Sequence, residues 1–309
     1  DTHYYSKKNF VDGFDKNKKP KPGQLFFSRS EEIVEHTFDC LCKNDTPDIV
    51  LISGDLTYNG ERTSHDEMKA ALKKLQQKGK RVYVITATHD YTTPRMPTYG
   101  IDKNDKYIEV ESVNRTQLLK YYGDFGYNNA IAKHKSTMSY VAQLADGYRL
   151  FALNDDYGDP DCGFSDELMN WVKTEANNAK RDGQYIIAMT HHPLVPPSPI
   201  YAAVAKGDML NEYELRRNQL SDLGFDFVLT GHTHMHNISY CKIGNKKFYD
   251  ISTAALTGFP PYYRQIVLNK EQKKAEIKTI CADCADSIDT NGLALEEYTK
   301  DLFLGVVSK

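Results

Sequence analysis

The sequence has no apolar run approaching the ~18–20 residues needed to span a bilayer, and its densest stretches, Ile49–Ile52 and Tyr185–Met189, are only as long as a strand. It has no surplus of positive charge either: 39 Lys and Arg stand against 42 Asp and Glu, a formal charge of −3. A face that neutralises a nucleic-acid backbone needs clustered cations, so no nucleic-acid polymer is expected as a partner. Cysteine is scarce, six in 309 residues, which excludes a disulfide scaffold in a chain long enough to bury a large core. There is no repeat and no low-complexity tract, and 40% hydrophobic with 26% charged residues excludes disorder, collagen and coiled coil. The three Asn-x-Ser/Thr sequons, at Asn44, Asn114 and Asn237, are what chance gives in an Asn-rich chain, and the sequence is compatible with a cytoplasmic or an exported protein.

What is present is a set of short apolar runs that end alike. Asp48–Ser53 runs into Gly54-Asp55, Arg81–Ala87 into Thr88-His89-Asp90, Gln184–Thr190 into His191-His192-Pro193, and Phe225–Thr230 into Gly231-His232-Thr233-His234. Each reads as a buried strand that stops where ligand-type residues begin. Helices lie between them. Ser64-His65-Asp66-Glu67 has a capping-box pattern and predicts a helix with Met68, Ala71, Leu72 and Leu75 on its inner face. A second follows Ser165 and stops at Gly183, and a third covers roughly Glu31–Lys43. Asp146-Gly147 marks a two-residue hairpin, with two more near Gly244-Asn245 and Lys270–Gln272. Mixed hairpins and helix–strand alternation point to layered sheets covered by helices. Tyr91–Lys135, with one helix from Asn114 to Tyr122, and the Pro-rich Pro193–Asn211 follow His-bearing strand ends and are expected to overhang the site those histidines build.

Five of the ten histidines sit in compact motifs. In Asp1-Thr2-His3 and His232-Thr233-His234 the i and i+2 side chains leave an extended backbone on one side, so each pair can reach one centre. A carboxylate after a turn-permitting glycine, as in Gly54-Asp55, can bridge two cations, and two cations about 3.5–4 Å apart serve in-line attack on a phosphate ester.

These residues resemble the calcineurin-like metallophosphoesterases, whose motifs run D-x-H, G-D, G-N-H-[DE], H-x-P or H-H-P, and G-H-x-H. The matching residues are Asp1/His3, Gly54/Asp55, His89/Asp90, His191/Pro193 and Gly231/His232/His234, and the layout is most similar to the branch that includes cyclic-nucleotide phosphodiesterases. The resemblance implies an α/β fold, a four-layer αββα sandwich of two mixed β-sheets flanked by helices, with the metal site at the C-terminal ends of strands. It implies two metal ions, Mn, Fe or Zn: one held by Asp1, His3, Asp55 and His234, the other by Asp55, His191 and His232. It further implies that His89 contacts the scissile phosphate, that Asp90 orients the His89 ring, and that a metal-bridging hydroxide attacks.

The chain departs from the pattern at Ala87-Thr88, where the family has Gly-Asn. Thr88, or a water it holds, is expected to take the Asn place with weaker binding of the second metal. His192 is read either as a substrate contact or as a packing residue, and His36, His65, His134 and His236 as structural. The expected substrate is a small-molecule phosphate ester, most simply a phosphodiester such as a cyclic or modified nucleotide; a phosphomonoesterase and a weakened phospho-ligand-binding member are the alternatives.

The resemblance covers roughly residues 1–280, with 91–135 as an insertion and 281–309 as an extension, read as the start of a further domain. A buried strand is expected upstream of Asp1. Cys281 and Cys284, with Cys40 and Cys42, allow a zinc site or a local disulfide, and the six tyrosines of 91–127 are read equally as a stacking surface or as packing.

Overall fold

The computed structural model describes residues 1–15, 23–43, 46–156, 161–283 and 288–307; Asn44 and Cys284, named above, lie outside them. In chain order the elements are α1 (Ser30–Leu41), β1 (Ile49–Ser53), α2 (Arg62–Gln77), β2 (Arg81–Ile85), β3 (Gly100–Ile101), β4 (Tyr107–Ile108), α3 (Leu118–Tyr122), β5 (Ala132–His134), β6 (Ser139–Ala145), β7 (Tyr148–Ala152), α4 (Asp166–Arg181), β8 (Tyr185–Met189), α5 (Pro199–Val204), α6 (Tyr213–Asp222), β9 (Phe227–Thr230), β10 (Asn237–Ile243), β11 (Lys246–Ser252), β12 (Tyr262–Asn269), β13 (Lys274–Cys281) and α7 (Leu295–Val307).

One mixed sheet has the order β10-β11-β9-β8-β7-β6-β5, with parallel pairing from β11 through β7 and antiparallel hairpins at both edges. Its central strands are buried on both faces, which is why they read as continuous apolar runs. Along β7 and β8, Leu150, Ala152, Ile187 and Met189 face one core, while Phe151, Ile186 and Ala188 face the other. The second core lies under α4 and α6, with Leu168, Val172, Ala176 and Leu220 all inaccessible to solvent. Opposite the first core stand the parallel pair β1–β2 and the hairpin β12–β13, contributing Ile49, Leu51, Tyr83, Ile266 and Ile277. A further core joins β1 and β2 to α1 and α2 through Val82, Val84, Ile33, Phe38, Met68, Leu72 and Leu75. The fold is therefore α/β in four layers, helices, strands, a mixed sheet and helices. Among the described residues β1–β2 and β12–β13 are separate two-stranded pieces, and an apolar cavity of about 470 Å³ lies between them, bordered by Leu51, Ile187, Met189, Leu229 and Ile266.

Three local expectations change. The first helix of the sheet region opens at Arg62, capped by the extended Glu61, rather than at Ser64. Ser64 sits buried inside α2 because its hydroxyl accepts from Ser6 N and Asn9 Nδ2, both 3.1 Å away. The insertion overhangs the site only in its first half: from Val113 on it enters the core through Val113, Leu118 and Phe125, and β5 pairs with β6. Beyond residue 281, Ala282, Ile288, Leu295 and Tyr298 join the core, with the Tyr298 ring 5.5 Å from Phe26. Ser165 caps α4 as read, its hydroxyl accepting from Leu168 N at 3.1 Å. Among the described residues no helix is long and apolar enough to cross a membrane.

Phe151 is fully buried, its ring edge-on to Phe225 at 5.1 Å. Truncation by Phe151→Ala is expected to cost about 3–5 kcal/mol, read as a drop in the urea midpoint at constant slope; a change under about 1 kcal/mol would mean that this core re-packs freely.

Candidate metal centre

The motifs meet at one end of the layers because the strands that precede them are parallel neighbours and stop together. The first residues join from the side: Thr2 N and His3 N donate to Asp55 O at 3.0 and 2.9 Å, Tyr4 N donates to Leu56 O, and Asp1 O accepts from Leu256 N. Four of the ligand-type residues turn sharply to face inward, with φ of 42° at His3, 47° at Asp55, 61° at His232 and 55° at His234. Few non-glycine residues adopt this left-handed conformation, Asp and His more readily than most, and four of the ten among the described residues fall at the centre.

Two sets of ligand atoms result, each within 4.8 Å: Asp1, His3, Asp55 and His234, and Asp55, His191 and His232. Asp55 belongs to both. His3 Nε2 lies 2.9 Å from His234 Nε2, and His232 Nδ1 lies 3.2 Å from His191 Nε2. Asp55 Oδ2 is 3.2 Å from His191 Nε2 and 3.6 Å from His3 Nε2. His191 donates Nδ1–H to Ser53 O at 2.8 Å, which fixes its tautomer and leaves Nε2 as a lone pair toward the centre. Asp1 Oδ1 and Asp55 Oδ2 are buried with no hydrogen-bond partner. Nitrogen lone pairs converging on orphaned carboxylate oxygens are costly without a cation between them, so these residues fit metal ions, and an oxygen and imidazole donor set suits Mn, Fe or Zn.

The electrostatics agree. Burial, reinforced by neighbouring histidines, holds His3 and His232 well below the usual imidazole range. Burial brings His234 down to about 4, so these rings are neutral ligands at neutral pH. Burial alone would raise Asp55, but His191 and His89 outweigh it and hold the carboxyl well below its ordinary value.

The glycines of two motifs are steric necessities. A Cβ on Gly54, whose φ is +101°, would come 2.7 Å from Ala87 Cβ and 2.8 Å from His191 Nδ1. A Cβ on Gly231 would land on Asp1 Oδ1. Asp1 thus rests in a notch left by glycine, and its Oδ2 accepts from His232 N at 2.7 Å.

His89 lies beside the first ligand set, its ring 4.9 Å from His3 and its amide donating to Asp55 Oδ1 at 3.1 Å. Its ring is not oriented by Asp90, contrary to expectation. Nδ1–H is taken by Tyr58 O at 2.6 Å and Asn59 Oδ1 at 2.8 Å. Asp90 is fully buried and turned away, accepting from Ala87 N and Thr57 N, both at 2.9 Å, so it pins the 87–90 turn to the loop after Asp55. Burial first, then the Asp55 charge, pushes its carboxyl up to about 8. Thr88 is half-buried in the same turn. His192 takes the packing role: it is 2% exposed, its ring lies 4.0 Å from His232, and Asp155 Oδ2 stands 3.3 Å from its Nδ1. Its ring thus packs beside that of His232. His65 is structural, bonded to Tyr122 Oη at 2.7 Å and Asp90 O at 3.0 Å.

Tyr58, Asn59, Glu61, Asp155 and Asp250 escaped the sequence reading. Asp155 Oδ2 accepts from Thr190 Oγ1 and His192 N at 2.8 and 2.7 Å, and Asp250 accepts from Leu194 N and Val195 N, tying down both sides of His191. A carboxylate between the aromatic pair Phe248-Tyr249 and Ile251 in β11 was the available signal for Asp250. Cys40 Sγ lies 3.5 Å from His36 Nε2, and the described cysteines are unpaired.

The family model for calcineurin-like phosphoesterases matches residues 1–236. No curated protein matches significantly. Among solved structures, a dimetal phosphatase from Danio rerio aligns at 12% identity over 91% of this chain and 96% of its own, with a TM-score of 0.55. A purple acid phosphatase from yellow lupin (Lupinus luteus) seeds aligns at 14% identity over 74% of this chain and 40% of its own, with a TM-score of 0.49.

Gly231→Ala is expected to displace the Asp1 carboxylate and lower metal content measured by elemental analysis, with far-ultraviolet circular dichroism unchanged; full metal loading would show that Asp1 is dispensable. Glu61, fully buried with Oε2 accepting from Asn59 N at 3.2 Å, is pushed up to about 7 by burial. An acid whose pKa is higher folded than unfolded penalises the fold once ionised, so this penalty is absent below about 4.5 and complete above about 7. Urea stability of Glu61→Gln relative to the parent should therefore rise with pH across that window, by about 3 kcal/mol in all; a pH-independent difference would show that Glu61 is charged throughout.

Proposed function

Given that this chain belongs to the calcineurin-like phosphoesterase family, we propose that it hydrolyses a phosphodiester of a small molecule, such as a cyclic or modified nucleotide. The observation that carries this reading is the pair of ligand sets sharing Asp55. Asp1, His3, Asp55 and His234 would hold one metal ion, and Asp55, His191 and His232 the other, with Thr88 next to His89 as the neutral donor. When bound, such a pair supplies Lewis acidity and an acidified water for in-line displacement at phosphorus.

The protein's own groups do the remainder. With Nδ1–H spent on Tyr58 O and Asn59 Oδ1, His89 can exchange a proton with substrate only at Nε2. The protonated ring places that proton beside the leaving oxygen and stabilises the developing charge. Asp90 keeps His89 in place indirectly, by fixing the turn that carries it. His192 and Ser53 O hold the His232 and His191 rings in ligand orientation. The preference for a diester, with one charge on phosphorus, draws on Arg264, whose Nη2 donates to Asn237 O and Ser252 O at 3.1 and 3.0 Å and is withheld from a dianion, whereas Arg95, a loop arginine, is exposed.

Manganese-loaded protein should cleave bis(p-nitrophenyl) phosphate faster than p-nitrophenyl phosphate, and His89→Ala should lower kcat about 10²–10⁴-fold with two metals still bound. Faster monoester cleavage would overturn the diester assignment. Two bound metals without turnover on either ester would instead assign the chain as a phospho-ligand-binding member.

A further inference from the structure

The six tyrosines between Tyr91 and Tyr127 separate into two groups. Tyr91, Tyr121, Tyr122 and Tyr127 are at most 9% exposed and pack into the cores. Tyr99 and Tyr107 do not. Tyr107 is 69% exposed, Tyr99 is half-buried, and their rings lie 4.2 Å apart at 42°. Tyr58 is 6.2 Å from Tyr99 on one side, and 6.4 and 6.5 Å from the His89 and His3 rings on the other. A row of aromatic rings therefore runs from the metal centre to the surface.

The row is held by neighbours. The Tyr58 and Tyr99 rings meet edge-on at 6.2 Å, Tyr5 Oη donates to Tyr99 O at 3.1 Å, and Phe27 backs Tyr58 at 5.1 Å. Thr98 Oγ1 donates to Asn59 O, tying the segment to the residue that holds His89. The β3–β4 pairing of Gly100 with Ile108 and Ile101 with Tyr107 sets Tyr107 against Tyr99. Gly100 is packed so closely that a Cβ would stand 2.7 Å from Val110 Cγ1 and 2.8 Å from Asn9 O. Most of the Tyr107 surface remains in water, so its ring is open to a ligand on the side away from Tyr99.

We propose that Tyr58, Tyr99 and Tyr107 form the subsite for a planar heteroaromatic group carried by the scissile phosphate, so that the ester is a nucleotide rather than an aliphatic phosphodiester. This rests on the phosphoesterase reading above. The row starts at the His89 ring, 6.4 Å from Tyr58, and passes outward through Tyr99 to the exposed Tyr107. Fixed ring faces offer stacking surface at low entropic cost, and stacking accepts any base because each presents a π face.

Calorimetric titration of the manganese-loaded 309-residue chain with inorganic phosphate, ribose 5-phosphate and adenosine 5′-monophosphate tests this. The nucleotide should bind at least about 5-fold more tightly than the sugar phosphate, a ratio within the ~5- to 100-fold that one base–aromatic stack supplies. Tyr107→Ala, at an exposed position, should collapse that ratio toward one while leaving phosphate and ribose 5-phosphate affinities unchanged, and Tyr107→Phe should keep it. Equal affinities for nucleotide and sugar phosphate, or a ratio that survives Tyr107→Ala, would overturn the subsite while leaving the phosphoesterase reading intact. Failure of all three probes, phosphate included, would overturn the phosphoesterase reading and the subsite with it.

Discussion

The buried carboxylate of Asp55 is the constraint around which the molecule is arranged. It is 1% exposed, and a lone carboxylate at that depth is expensive unless paired or bound to metal. One oxygen takes the His89 amide; the other has no donor and faces His3 and His191. Its backbone carbonyl in turn receives the amides of Thr2 and His3. The centre is therefore tied to this residue by charge, by hydrogen bond and by shared ligation geometry, and a cation between the two ligand sets would satisfy the oxygen that no donor reaches.

The same end of the fold stores backbone strain. His3, Asp55, His232 and His234 all have left-handed φ, each costing of order 1–3 kcal/mol. Such turns persist because rigid surroundings over-determine them: apolar strands buried on both faces lead into the turns, and Gly54 and Gly231 leave the only space into which His191 and Asp1 can pack. Strength in the layers is what permits irregularity at their rim.

Much of this was readable in the sequence, for a physical reason. Strand ends followed by ligand-type residues are local signals, and parallel strands that stop together bring such ends into one place, so Asp55, His191, His232 and His234 could be placed together without coordinates, while Asp1, His3 and the division into two ligand sets came through the family resemblance. The hairpin at Asp146-Gly147 and the Ser165 cap were likewise local. What escaped depends on contacts between distant segments. Asn59 and Tyr58 O grip His89 from thirty residues away, a task that the family resemblance had assigned to Asp90. Ser64 matched a capping pattern, yet its hydroxyl is claimed by Ser6 and Asn9. The tyrosines of the insertion look alike in the sequence, and only burial separates those that pack from those that line the surface.

The seam between β8 and β9 has a consequence for how the centre is held together. These strands carry His191 and the His232–His234 turn, yet their ladder pairs only Ala188 with Val228 and Met189 with Leu229, continuing through Thr190 N to Leu229 O and Gly231 N to His191 O. Each strand is also paired along its full length with its other neighbour, β7 or β11. At the rim opposite the histidines the seam is closed by side chains instead, Tyr185 Oη donating to Asp226 Oδ2 at 3.0 Å. The backbone ladder across this seam is thus concentrated beside the imidazoles, so the hydrogen bonds that join the two halves of the sheet are the same ones that set the spacing of its histidine-bearing turns.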